Sequence, residues 1–152
     1  MSMCKTLAAT ILAGTMLFAG SAAAADKAPS GTASSKDGKA MELVQEWDKV
    51  FPRSDKVEHR KVTFRTRYGT VLAGDLYVPR GARGKLAALA VSGPFGAVKE
   101  QASGLYAQTM AERGFLTLAF DPSYTGESSG EPRHVASPDI NTEDFSAAVD
   151  LL

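Results

Sequence analysis

Between Val57 and Arg67 apolar and polar positions alternate, with Val62 and Phe64 on one face and Arg60, Lys61, Arg65 and Arg67 around them. That two-residue period predicts a strand. Tyr68-Gly69-Thr70 supplies a turn, and a second strand runs from Val71 to Val78, just before Pro79. The alternation implies an antiparallel pair with one face more solvated than the other. The four basic residues read as that solvated face, because Glu58 and Asp75 dilute them. Leu86 to Val91 differs in being continuously apolar, as expected of a central parallel strand covered on both faces. Glu100 to Arg113 is predicted as a helix, with Leu105, Tyr106, Thr109 and Met110 at helical spacings and Gly114 placed to stop it. Phe115 to Phe120 is a further short apolar strand. A strand, helix and strand of these lengths require a crossover within a parallel sheet, so the fold class is α/β.

Two more segments carry helical spacing. Met41, Leu43, Val44, Trp47, Val50 and Phe51 recur at that period and end at Pro52, which cannot continue a helix. Trp47 reads as packing on the flank of the domain. A last helix starts near Asn141, capped by Asn141 or Thr142, with Glu143 and Asp144 favouring its N-terminal dipole and Phe145, Ala148, Val149 and Leu152 forming its apolar face.

The N-terminus changes the picture of where this domain works. Lys5 precedes an apolar run, Leu7 to Phe18, and then the small-residue tract Ala22 to Ala25, so residues 1–25 are predicted to be a secretory signal peptide. The run is shorter than the roughly 20 residues of a membrane-spanning helix. Residues 26–40, rich in Ser, Gly, Lys and Ala, read as a flexible lead-in to a single domain over 41–152. The expected location is therefore exported, periplasmic or secreted. Cys4, the one cysteine, leaves with the peptide and lies on the wrong side of the apolar run to carry a lipid, so no cysteine chemistry is expected in the mature chain.

Composition adds little beyond exclusions. With 44% hydrophobic and 22% charged residues the 152-residue chain is ordinary globular material. Its 17 basic and 17 acidic residues balance, and loss of Lys5 leaves one acid in excess. Nothing favours nucleic acid or an anionic membrane surface as a partner. No G-x-G-x-x-G follows a strand, which weighs against a dinucleotide cofactor.

The succession Val91-Ser92-Gly93-Pro94-Phe95-Gly96-Ala97-Val98-Lys99-Glu100-Gln101, then Gly114-Phe115 and Phe120-Asp121-Pro122-Ser123-Tyr124-Thr125-Gly126-Glu127-Ser128, resembles the α/β-hydrolase superfamily, and more narrowly its bacterial, dienelactone-hydrolase-like branch. The resemblance runs from about Val57 to Leu152. It implies the N-terminal half of an α/β-hydrolase fold, an antiparallel hairpin followed by a parallel strand-helix-strand unit, truncated before the nucleophile strand. It further implies a serine-type hydrolase of small-molecule esters or similar acyl compounds, with no cofactor and with the catalytic triad missing from this chain. The loop after the third strand would supply an oxyanion-hole N–H. Pro94 has none, so Phe95 is the candidate donor. The superfamily's strand order places the fourth strand between the second and third, which would leave the third with an unpaired apolar edge open to self-association.

Gly126-Glu127-Ser128-Ser129-Gly130 fits the G-x-S-x-G nucleophile pattern, but no strand leads directly into it and Glu131-Pro132-Arg133 follows in place of a helix. Ser128 is therefore expected to brace its loop by hydrogen bonds. His134 reads as a surface histidine, and neither it nor His59 has a partner at metal-ligand spacing. The alternative to a hydrolase is a non-catalytic exported α/β binding domain or a decayed gene product.

Overall fold

The computed structural model describes residues 41–152. The expected signal peptide, the lead-in and Cys4 lie outside the described residues. Strands β1 (Val57–Arg65), β2 (Val71–Pro79) and β3 (Ala88–Val91), helix α1 (Ala102–Glu112), strand β4 (Leu116–Phe120) and helix α2 (Pro138–Leu151) follow one another along the chain. The four strands form one sheet in the order β1-β2-β4-β3. β1 and β2 are an antiparallel hairpin, in register from Val57 opposite Pro79 to Arg65 opposite Val71. β4 pairs antiparallel with β2 and parallel with β3. The α/β class and the insertion of the fourth strand between the second and third are as expected.

The sheet separates two apolar layers. Phe64, Leu72, Leu76, Leu118 and Phe120 pack on one face with Ala147 and Ala148 of α2. Val57, Tyr77 and Ala119 pack on the other with Ala107 and Ala111 of α1. Alternate residues of β2 and β4 thus enter opposite layers, as the pleat dictates.

Five expectations are corrected. β2 is covered on both faces, with Val71 to Tyr77 all buried, because a helix lies on each side of it. β3 is the edge of the described sheet, as the strand order implied, but it is not buried on both faces, and Ala88 is exposed. Lys61 does not sit on a solvated face: its side chain is buried among carboxylates. Residues 41–52 form no helix. Backbone N–H groups there go to distant acceptors, Val44 to Glu127 Oε1 at 2.8 Å and Val50 to the Glu100 carbonyl at 3.1 Å, so a helical ladder cannot use them. Trp47 does pack on the flank, edge-on to Phe51 and His59.

The fifth correction concerns both helices. α1 buries Ser103, Gly104, Ala107, Gln108 and Ala111, leaving Leu105 and Tyr106 exposed. A Cβ on Gly104 would stand 2.2 Å from the Lys99 carbonyl oxygen and about 3 Å from the Phe51 ring, so only glycine permits this approach. α2 starts three residues before the expected cap. Ser137 is its N-cap, accepting the Ile140 N–H at 3.2 Å, with Pro138 in the first turn. It buries Glu143, Asp144, Ala147 and Ala148, while Phe145 and Val149 are exposed. No helix among the described residues is long and apolar enough to cross a membrane.

Candidate functional site

In parallel sheets, binding sites form where loops leave the carboxyl ends of the strands. Here β3 leads into Ser92–Lys99 and β4 into Asp121–Ser137. Gly93, Phe95 and Ala97 of the first loop face Pro122 and Thr125 of the second across a cavity of about 60 Å³, also lined by Val135. That is room for a few water molecules or a small acyl group. The first loop is a tight turn, with the Ala97 N–H donating to the Pro94 carbonyl at 3.0 Å and Gly96 in the left-handed region at φ 84°. Phe95 lies on this turn with its side chain in solvent, so its contribution to the cavity is chiefly backbone.

The second loop is over-determined. Tyr124 adopts φ 69°, a conformation that costs a non-glycine residue free energy, and the loop holds it by a Tyr124 N–H bond to the Ser129 carbonyl and a His134 N–H bond to the Tyr124 carbonyl. Arg133 donates to the carbonyls of Ser128 and Gly126 at 2.5 and 2.6 Å. Ser128 is buried, donating to the Asp121 carbonyl at 2.7 Å and accepting the Ala73 N–H at 2.9 Å. Both its hydrogen-bonding directions are used within the fold, as expected of a bracing serine. His134 is exposed. Among the described residues no hydrogen bond joins a histidine to a serine, and no group of three or more His, Cys, Asp or Glu is arranged to hold a metal ion.

α2 is tied to the second loop through Asp144, whose two oxygens accept the Ser123 N–H at 2.8 Å and the Ser123 hydroxyl at 2.7 Å. Burial pushes the Asp144 carboxyl up; the Ser123 bonds pull it down, and the Glu143 charge adds to the rise.

Beneath both loops lies a chain of charges, its lysine side chains buried, that the sequence pattern did not reveal. Lys99, fully buried, pairs with Asp121 at 2.8 Å, Glu127 at 2.7 Å and Glu100 at 2.5 Å. Burial alone would lower the Lys99 ammonium, but the ion pairs, that with Asp121 foremost, raise it above the ordinary lysine value. Lys61 bridges Glu127 at 2.9 Å to Asp48 at 3.3 Å. Lys49 joins Asp48 at 2.6 Å to Asp75 at 2.9 Å, and the His59 ring bonds Asp75 at 2.8 Å. One signal was available: Asp75 is the only charge in the apolar run Val71–Val78. A lone carboxylate in such a strand needs a partner.

The sheet order, the antiparallel hairpin followed by the parallel β3-α1-β4 unit and the helices on both faces match part of the α/β-hydrolase fold. No family model matches the chain. It is 69% identical over 128 residues to the uncharacterized protein PA2218 of Pseudomonas aeruginosa, covering 82% of this chain and 34% of that protein. The crystal structure of PA2218 superposes with a TM-score of 0.71 at 73% identity, over 74% of this chain and 35% of that one. The α/β hydrolase GrgF from a Penicillium species superposes with a TM-score of 0.54 at 31% identity, over 61% and 31% of the two chains. The thiohydrolase aneE of Aspergillus aculeatus is 35% identical over 99 residues, 65% of this chain and 30% of that protein. The chain thus spans about a third of the length of the curated relatives it matches.

Proposed function

We propose that these residues form the N-terminal part of an exported serine-type hydrolase of ester or similar acyl bonds, of the dienelactone-hydrolase-like branch, whose nucleophile, acid and histidine are encoded beyond Leu152. The observation that carries this reading is the cavity between the Gly93–Ala97 turn and the Pro122–Thr125 loop at the carboxyl edge of the sheet. The hydrolase-like fold of GrgF and the identity to a thiohydrolase support the reaction class. In it, the serine hydroxyl gives its proton to the histidine as its oxygen attacks the acyl carbonyl carbon and the carbonyl electron pair moves onto oxygen; collapse of that oxyanion expels the leaving group, which takes the proton back from the histidine. The Phe95 N–H donates a hydrogen bond to that oxyanion, and the substrate's carbonyl lies in the cavity. A backbone donor held on a rigid turn needs no reorganisation as the charge develops, which is where its catalytic value lies.

The test is Phe95→Pro in the full-length form, which removes the N–H and leaves the turn's other bond in place. A fall in kcat of about a hundredfold or more toward a chromogenic ester, with KM little changed, is expected. An unaltered kcat would overturn the assignment.

A further inference from the structure

Asp121 is fully buried, and each oxygen of its carboxylate holds a different loop. Oδ1 accepts the Lys99 backbone N–H at 2.8 Å, at the end of the turn that carries Phe95. Oδ2 accepts the Glu127 N–H at 3.0 Å, from the opposite wall of the cavity, and the Lys99 ammonium at 2.8 Å. The backbone of Asp121 adds two more ties, its N–H to the Ala73 carbonyl at 3.0 Å and its carbonyl to the Ser128 hydroxyl. The carboxylate is therefore fixed relative to β2 and spans the two loops as a single rigid piece. Gly126 corroborates the fit: a Cβ there would stand 2.2 Å from Asp121 Oδ2, so the second loop closes on the carboxylate only because position 126 has no side chain.

We propose that Asp121 is a positioning residue, clamping the Ser92–Lys99 loop to the Asp121–Ser128 loop so that the wall bearing the Phe95 N–H keeps its distance across the cavity, with the Lys99 ammonium paired to it at 2.8 Å. The assignment rests on the hydrolase reading for its effect on turnover, but the clamp itself is measurable without it. Lys99 keeps Glu100 and Glu127 as counter-charges when Asp121 is neutralised, so Asp121 can be changed without leaving the ammonium unpaired. In Asp121→Asn, the Asn oxygen can still accept one N–H, while its amide nitrogen meets the other donor and one loop is released.

The experiment uses the full-length protein. Amide hydrogen exchange is followed by mass spectrometry in Asp121→Asn, and in Asp121→Asn with Lys99→Met if the single variant does not fold, alongside kcat and KM and beside Phe95→Pro as reference. Exchange over residues 92–99 and 122–128 is expected to quicken at least tenfold while β2 and β4 stay protected. kcat is expected to fall by about 10- to 100-fold with KM within a few-fold, the cost of a misplaced donor. Unchanged exchange in both loops would overturn the clamp, and quickened exchange with unchanged kcat would overturn its positioning role. If the parent turns over no ester, the hydrolase reading fails on its own; if Phe95→Pro is harmless, only the donor assignment fails; in either case the exchange result alone decides whether Asp121 couples the loops.

Discussion

Ser128 shows how a residue's surroundings overrule the letters around it. Its hydroxyl gives its proton to the Asp121 carbonyl and accepts the Ala73 N–H, both at or below 2.9 Å in the interior. A nucleophile must present its oxygen to substrate with a base beside it, and this oxygen is committed to two backbone groups. Ser128→Ala removes the donor and the acceptor and leaves both partners buried. The expected loss is about 1–3 kcal/mol of folding stability, read as a lowered Tm, while the full-length form keeps its esterase activity per folded molecule. Complete loss of activity in a variant that melts like the parent would identify Ser128 as the nucleophile instead. This role was legible beforehand because the pattern lacked the strand and helix that a nucleophile turn needs.

At the scale of elements, Glu127 links three parts of the chain: Val44 of the irregular N-terminal segment through Oε1 at 2.8 Å, and β1 and the first loop through Lys61 and Lys99 on Oε2. Burial raises the Glu127 carboxyl, but the Lys99 bond, then those of Val44 and Lys61, outweigh it and hold it below the ordinary value of 4.5. A depressed carboxylate contributes stability above that ordinary value and loses it as the pH falls through its lower folded value. The Tm gap between the parent and Glu127→Gln should therefore be widest near neutrality and shrink once the pH drops below 4.5. Asp144, raised in the fold, works in the opposite sense, but it is common to both proteins and cancels in the difference. A gap constant with pH would show that the link is not ionic. The same contacts explain what could be read from the pattern and what could not. Strand positions were legible because period two and apolar runs report local burial, and their order came from the resemblance to the α/β-hydrolase superfamily. The helix faces were not: α1 lies close enough to the sheet that Ala107 and Ala111 make the contact, and such small residues carry little hydrophobic signal while Leu105 and Tyr106 carry much. Residues 41–52 have helical spacing but spend the Val44 and Val50 N–H groups on Glu127 and Glu100 and their charges on Lys61 and Asp75, partners that no local window reveals. The Phe95 turn was singled out by the resemblance to the hydrolase loop after the third strand, whereas the Lys99–Asp121 contact came to light only in three dimensions.

For the molecule as a whole, the decisive feature is how much apolar and hydrogen-bonding surface the described residues leave open. β3 bonds β4 along one edge, and among the described residues no strand lies on its other edge. The outer faces of the helices add Leu105 and Tyr106 on α1 and Phe145, Val149 and Leu151 on α2, each more than 40% exposed. An open edge is a template for another strand, and apolar helix faces beside it gain by being covered, so both act in the same direction. The 152-residue polypeptide, purified by itself, is expected to self-associate by adding a second copy along β3. Sedimentation velocity should show species larger than a monomer, growing with concentration. Ala88→Lys, which puts a charge at the exposed start of that edge strand, should shift the distribution toward the monomer, because a charged edge must be desolvated to pair. A monomer with one sharp cooperative melt would overturn this expectation, since it would mean that the two layers around β2 and β4 suffice for a stable fold with the β3 edge in water.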